Sequence, residues 1–236
     1  KQSEGVRYLL REWQQHPQRQ EKFTRVLELM ENETGVQDCG SLTFGFDPSF
    51  QELLLHRVQI HRQGRVLDKL DLAKVRIIQR EPDLDGHLFT GDKSVVLFVE
   101  DLRVGDVLEY AYSLRGGNPV LNGHYAAKFV VQSSVPLDRQ RLRVILPTDR
   151  PLYFRQHMTP VAPSQEQIGG STARVWDFTN VEAIPYEDDV PFGYEAFPYL
   201  EFSDFDNWSR VVDWALPLYS GERTNPAPEL QAMIGK

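Results

Sequence analysis

Apolar and polar residues alternate with period two along most of this chain, the pattern of strands with one buried face. Val6–Gln15 and Phe23–Met30 read as strands separated by the polar "HPQRQEK". Leu42, Phe44 and Phe46 alternate with Thr43 and Gly45 before an Asp47-Pro48-Ser49 turn. Leu53–Arg62 alternates again, and Gln63-Gly64 predicts a tight hairpin into Val66. The pattern continues at Val75–Gln79, Ser94–Val99, Val107–Ser113 and His124–Ser133, then at Arg141–Leu146, Leu152–Gln156 and Thr172–Phe178. Turn clusters at Pro82-Asp83, Gly116-Gly117-Asn118-Pro119 and Gly169-Gly170 fall between them.

About a dozen or more short strands with regular punctuation predict an all-β fold, a large antiparallel β-sandwich. Long helical crossovers for a parallel sheet have no room. A helix over Arg7–Gln15 is the competing reading there, so residues 1–20 are either a first strand or the tail of a preceding domain. The sandwich itself is expected over 21–203. One helix is expected over 204–220: Asp206 or Asn207 can cap it, and Trp208, Val211, Val212 and Ala215 share a face. Pro217 limits its extent. "GERTNPAPELQAMIGK" then reads as a linker over 221–236.

Charge changes this picture in one place. The net charge is −8, with 34 acids against 26 Lys and Arg. Nine of those acids lie between Asp177 and Asp206, where there is no Lys or Arg, so one segment supplies the imbalance. Nucleic acid is not an expected partner, because phosphate binding needs clustered cations. Hydrophobic residues at 41% support a packed core, and no apolar run reaches the roughly 18 residues of a membrane-spanning helix. A single cysteine, Cys39, excludes an internal disulfide.

Each candidate for chemistry has a plainer structural explanation. Cys39 is followed by Gly40 and a strand, without the helix N-terminus or cation that makes a thiolate. His56 and His61 point to opposite faces of an unbroken strand and so do not share a metal. Asp204 and Asp206 have calcium-loop spacing, but Trp208 stands where a ligand is needed. Gly105-Asp106 reads as a turn between two strands, an architectural corner. No catalytic residue, metal or cofactor is expected. The acidic segment interleaves Tyr194, Tyr199 and other aromatic rings with its carboxylates and with Pro185, Pro191 and Pro198. It reads as a hydrogen-bond-poor strap pinned by its rings, or as a docking surface for a protein or glycan. Tyr194, Tyr199 and Trp208 are the candidate binding residues.

The ordered set "HRVQIHRQGRV", "DLRVGDVLEYAYSLRGGNP", "SSVPLDRQRLRVILP", "VWDFTNVEAIPYEDDVP" and "YLEFSDFDNWSRVVDWALPLY" resembles a bacterial domain of unknown function found before transglutaminase-like cores of the papain-like cysteine-peptidase superfamily. The resemblance spans roughly residues 20–220, and Gly105-Asp106, Pro136, Pro147, Trp176 and Trp208 fall where its pattern places them. It implies that Cys, His and Asp catalysts belong to a core following this domain, and that the protein is extracytoplasmic, periplasmic or secreted. The expected role is therefore a non-catalytic accessory domain that supports, or presents substrate to, a transglutaminase-like core of the same polypeptide. The alternatives are a stand-alone carbohydrate- or peptide-binding module using 177–206, and an enzyme whose site is assembled from distant strands.

Overall fold

The computed structural model describes residues 5–79, 91–147, 151–185, 191 and 193–219. The expected linker over 221–236 and the Pro82-Asp83 turn lie outside the described residues. The first half carries β1 (Val6–His16), β2 (Glu21–Met30), α1 (Glu33–Cys39), β3 (Ser41–Phe46), β4 (Glu52–Arg62), β5 (Arg65–Asp68), β6 (Arg76–Gln79) and β7 (Lys93–Phe98). The second carries β8 (Val107–Arg115), β9 (Ala126–Val130), β10 (Leu137–Pro147), β11 (Tyr153–His157), β12 (Ser164–Ile168), β13 (Ser171–Val181), β14 (Tyr199–Ser203) and α2 (Trp208–Tyr219). The all-β, sandwich-like class read from alternation is the fold found.

The strands form one eight-stranded sheet, ordered β12-β13-β10-β1-β2-β8-β4-β5, and two three-stranded sheets, β11-β14-β9 and β3-β7-β6. Register shows how one face of the large sheet serves both small ones. Trp176 pairs with Leu142, Leu142 with Trp13, Trp13 with Thr24, Thr24 with Tyr112 and Tyr112 with Leu55. All six side chains therefore share a face, because directly paired residues point the same way. The β3-β7-β6 sheet closes one core over it, with Phe44, Leu97, Val58, Ile60 and Leu108. The β11-β14-β9 sheet closes a second with Leu142, Val144, Trp176, Leu200 and Phe202. Tyr8 packs against both.

Four local features depart from the sequence reading. β1 lies in the middle of the large sheet and pairs in parallel with β10, so the sandwich is not wholly antiparallel. α1 was not legible as a helix; Asn32 caps it, its Oδ1 accepting from the Gly35 amide at 3.1 Å. β14 lies inside the proline-bearing segment expected to avoid ladders, yet it is the central strand of its sheet. α2 runs through Pro217 to Tyr219. Its cap is Asn207, whose Oδ1 accepts from the Arg210 amide at 3.1 Å. At Gln63-Gly64 both residues have positive φ, as a two-residue hairpin turn requires.

Candidate functional site

The face of the large sheet away from the two cores carries a row of charge. Asp177 pairs with Arg141, Arg141 with Glu12, and Glu12 with Arg25. Two positions further along β8, Glu109 accepts from Arg25 Nε at 2.9 Å and Arg57 at 2.6 Å, with His61 Nε2 at 2.7 Å. Burial at 2% exposure pushes the Glu109 carboxyl up, but the hydrogen bonds from Arg57 and His61 and the charge of Arg25 outweigh it and hold the group below its ordinary value. Opposite charges on directly paired strands support the sheet while keeping this face wet.

The Gly105-Asp106 corner belongs to the same architecture. Gly105 has φ +86°, which favours glycine. Asp106 turns its carboxylate inward to accept from Arg62 Nε at 2.8 Å and from the Arg103 amide at 2.8 Å. The Arg62 hydrogen bond holds Asp106 below the usual carboxylate range against the opposing effect of burial. The pair fixes the turn, as expected from its residue types.

A β-bulge between Leu55 and Arg57 overturns the reading of His56 and His61. His56 Nε2 lies 2.8 Å from Ser113 Oγ and His61 Nε2 reaches Glu109, and Ser113 and Glu109 share a face of β8. The two imidazoles thus sit on one face, each occupied by a different hydrogen-bond partner. Ser113 is buried beneath His56. The extra residue shows in β4 as two successive polar residues, His56-Arg57, between the core-facing Leu53 and Leu55 and the core-facing Val58 and Ile60.

Cys39 closes α1 against β2. Its thiol donates to Glu28 Oε2 at 3.5 Å, and Tyr110 Oη donates to Glu28 Oε1 at 3.3 Å. Burial first, then the neighbouring Glu28 charge and hydrogen bond, push the thiol far up, so it stays protonated. Burial also raises Glu28. The cluster holds a proton-rich interior contact, the opposite of an activated nucleophile.

The three candidate binding residues are not brought into one site: Tyr199 stands at one end of β14, and Trp208 lines a groove beside Ser203 at the other. Tyr199 stacks on His157 at 4.2 Å, and Lys128 Nζ lies 4.2 Å above the Tyr199 ring. Lys128 also pairs with Glu195 at 2.5 Å, which brings the Tyr194 segment beside it. Tyr194 is 62% exposed, whereas Tyr199 is half-buried by its two partners. Trp208, 82% exposed, lines a groove of about 760 Å³ with Tyr153, Arg155, Glu201 and Val211. Sequence reasoning missed Tyr153, Arg155 and Lys128, because their proximity to the acidic segment depends on pairings between distant strands.

α2 is held by one side. Trp214 Nε1 donates to Val120 O at 3.0 Å, and its ring lies 5.9 Å from Phe205, which stacks on His124 at 4.2 Å. Trp208, Val212, Leu216 and Tyr219 are exposed. Their i, i+4, i+8, i+11 spacing aligns them in one stripe.

Fold and site together define a class: an all-β sandwich module with a charged outer sheet face and an uncovered apolar helix stripe. The chain belongs to DUF3857, a domain of unknown function with solved structures, whose family model matches residues 16–185. No curated protein sequence matches it. Among solved structures it is similar to a putative protease from Parabacteroides distasonis, with a TM-score of 0.70 at 20% identity. That match covers 86% of this chain and 41% of the other, so the chain spans well under half the length of that protein. Looser matches are Legionella pneumophila aminopeptidase A in complex with aspartic acid (TM-score 0.43, 12% identity, 86% of this chain and 22% of that one) and a two-domain M1 zinc metallopeptidase mutant bound to L-tryptophan (0.42, 13%, 84% and 42%).

Proposed function

We propose that this chain is a non-catalytic accessory module, which supports and presents substrate to a transglutaminase-like core of the same, exported polypeptide, and that α2 is the joint. The observation that carries this reading is the stripe of Trp208, Val212, Leu216 and Tyr219, all exposed on a helix whose other side is already fixed. A contiguous apolar stripe in water marks a surface that another body covers. The length of the similar Parabacteroides distasonis protein, of which this fold accounts for 41%, supports room for such a body. Cys39 supports a non-catalytic role, since its surroundings keep it as a thiol.

Hydrogen exchange over α2 tests the reading, comparing this chain with the full natural polypeptide. Protection of α2 should rise in the longer protein and fall again in its Trp208→Ala variant, with catalytic coupling weakened in parallel. Equal exchange in both, a reading frame that stops within a few residues of Lys236, or hydrolase activity in this chain alone would each overturn it.

The exposure of Tyr194, whose neighbour Glu195 pairs with the groove-lining Lys128, favours a second reading, a stand-alone peptide- or glycan-binding module. Binding on a glycan or peptide array that is lost in Tyr194→Ala supports it; a blank array discards it.

A further inference from the structure

Between the free edge of β9 and the centre of the large sheet lies a crevice of about 280 Å³, room for a group the size of one amino-acid residue. Its floor is built from paired strands: Gln140 opposite Arg11, Leu142 opposite Trp13, and Gln15 opposite Lys22. Its wall is Tyr125 and Phe129, with Phe129 edge-on to Trp13 at 4.8 Å.

The charge of the crevice is opposite to that of the chain. Arg11, Lys22 and Lys128 line it, and no Asp or Glu does, in a protein of net charge −8. Lys128 is already paired with Glu195. Lys22 has no ion pair among the described residues, whereas Arg11, four residues along β1 from the Gln15 that faces Lys22, is turned to the Tyr8 ring, 4.1 Å from its centroid. The Tyr125 hydroxyl is shielded from solvent and has no hydrogen-bond partner among the described residues. A buried hydroxyl without a partner is costly unless something supplies one.

We infer that this crevice is a carboxylate-binding site, with Lys22 holding the anion, Tyr125 donating to it, and Trp13, Phe129 and Leu142 receiving the apolar body attached to it. The chemistry favours a carboxylate over a phosphate. A dianion calls for oriented backbone amides or several arginines, whereas one ammonium, one phenol hydroxyl and an aromatic wall suit a planar monoanion with an apolar neighbour. The carboxylate is either that of a small acid or the C-terminus of a peptide. The inference does not rest on α2 or on a covering core.

The test is a titration of the ¹⁵N-labelled chain, at low salt, with N-acetyl-Ala-Phe as the free acid, with its C-terminal amide, with sodium acetate and with inorganic phosphate. The free acid should shift the amides of Arg11, Gln15 and Lys22 saturably, and the amide should bind at least about tenfold more weakly. Lys22→Gln, which removes a side chain without partners, should weaken the acid about tenfold without affecting folding. Tyr125→Phe should leave thermal stability equal or higher yet still weaken binding, which a purely structural tyrosine would not do. Acetate saturating as tightly as the peptide acid identifies a small acid as the ligand, and a preference for the peptide acid identifies a chain end. Equal binding of acid and amide, no shifts at these amides, Lys22→Gln binding like the native chain, or phosphate displacing the acid at equal concentration overturns the assignment.

Discussion

Glu109 and Glu28 lie on neighbouring strands, one on each face of the large sheet, and burial has opposite outcomes for them. Glu109 has Arg25, Arg57 and His61 around it and is held below its ordinary value of 4.5; Glu28 has only a thiol and a phenol donating to it and is raised. A depressed carboxyl contributes stability above its unfolded value that is lost as pH falls through the folded one. Glu109→Gln should therefore cost about 3 kcal/mol near neutral pH, with the gap to the native chain narrowing below about pH 4 in urea titrations. A raised carboxyl works the other way: its contribution is full below the ordinary value and fades as pH rises through the folded one. Glu28→Gln should accordingly be more stable than the native chain near pH 7 and lose that advantage near about pH 4, as seen by thermal melts at both. Neither behaviour is legible in the sequence. Alternation places both glutamates on strands, but which face each takes and which cations lie across from it depend on the pairings of β2 and β8 with their neighbours.

At the level of elements, legibility follows the range of the interaction that makes each one. The Gln63-Gly64 hairpin, the Gly105-Asp106 corner and the Asn207 cap depend on a few adjacent residues, and the sequence declares them. The parallel β1–β10 pair and the central place of β14 depend on partners far along the chain, and it does not. Gly116 joins the two ranges. Its φ of +105° belongs to the local turn, while an added Cβ would stand 1.8 Å from Phe50 O on another loop. Gly116→Ala should destabilise by more than about 2 kcal/mol, and a denaturation midpoint within error of the native chain would contradict that close approach. α2 is attached mainly through Trp214. Trp214→Ala should free the helix to exchange its amides while the sheets keep their protection, a local loosening that hydrogen exchange resolves.

For the molecule as a whole, two cores hang from one sheet. Leu108 lies in the first and Leu142 in the second, both fully buried, and β1 and β2 lie between them. Leu108→Ala and Leu142→Ala should each cost about 3 kcal/mol and lower a single shared melting transition, since the sheet cannot come apart under one core and stay whole under the other. Two separated transitions in calorimetry would show the halves to be independent. The candidate binding residues do not form one site: Lys128 links Tyr199 to Glu195, next to Tyr194, while Trp208 lines the groove at the other end of β14. The crevice at the free edge of β9 had no signature in the chain, because it depends on how that small sheet sits over the large one.

The parallel contact between β1 and β10 also sets an order of assembly. β1 is made before the other strands of this sheet, yet the strand that closes one of its edges is among the later ones made. Until β10 emerges, the growing polypeptide carries an open, strand-ready border that other nascent chains can pair with. A gene cut short before Leu137 should therefore yield inclusion bodies rather than a soluble half.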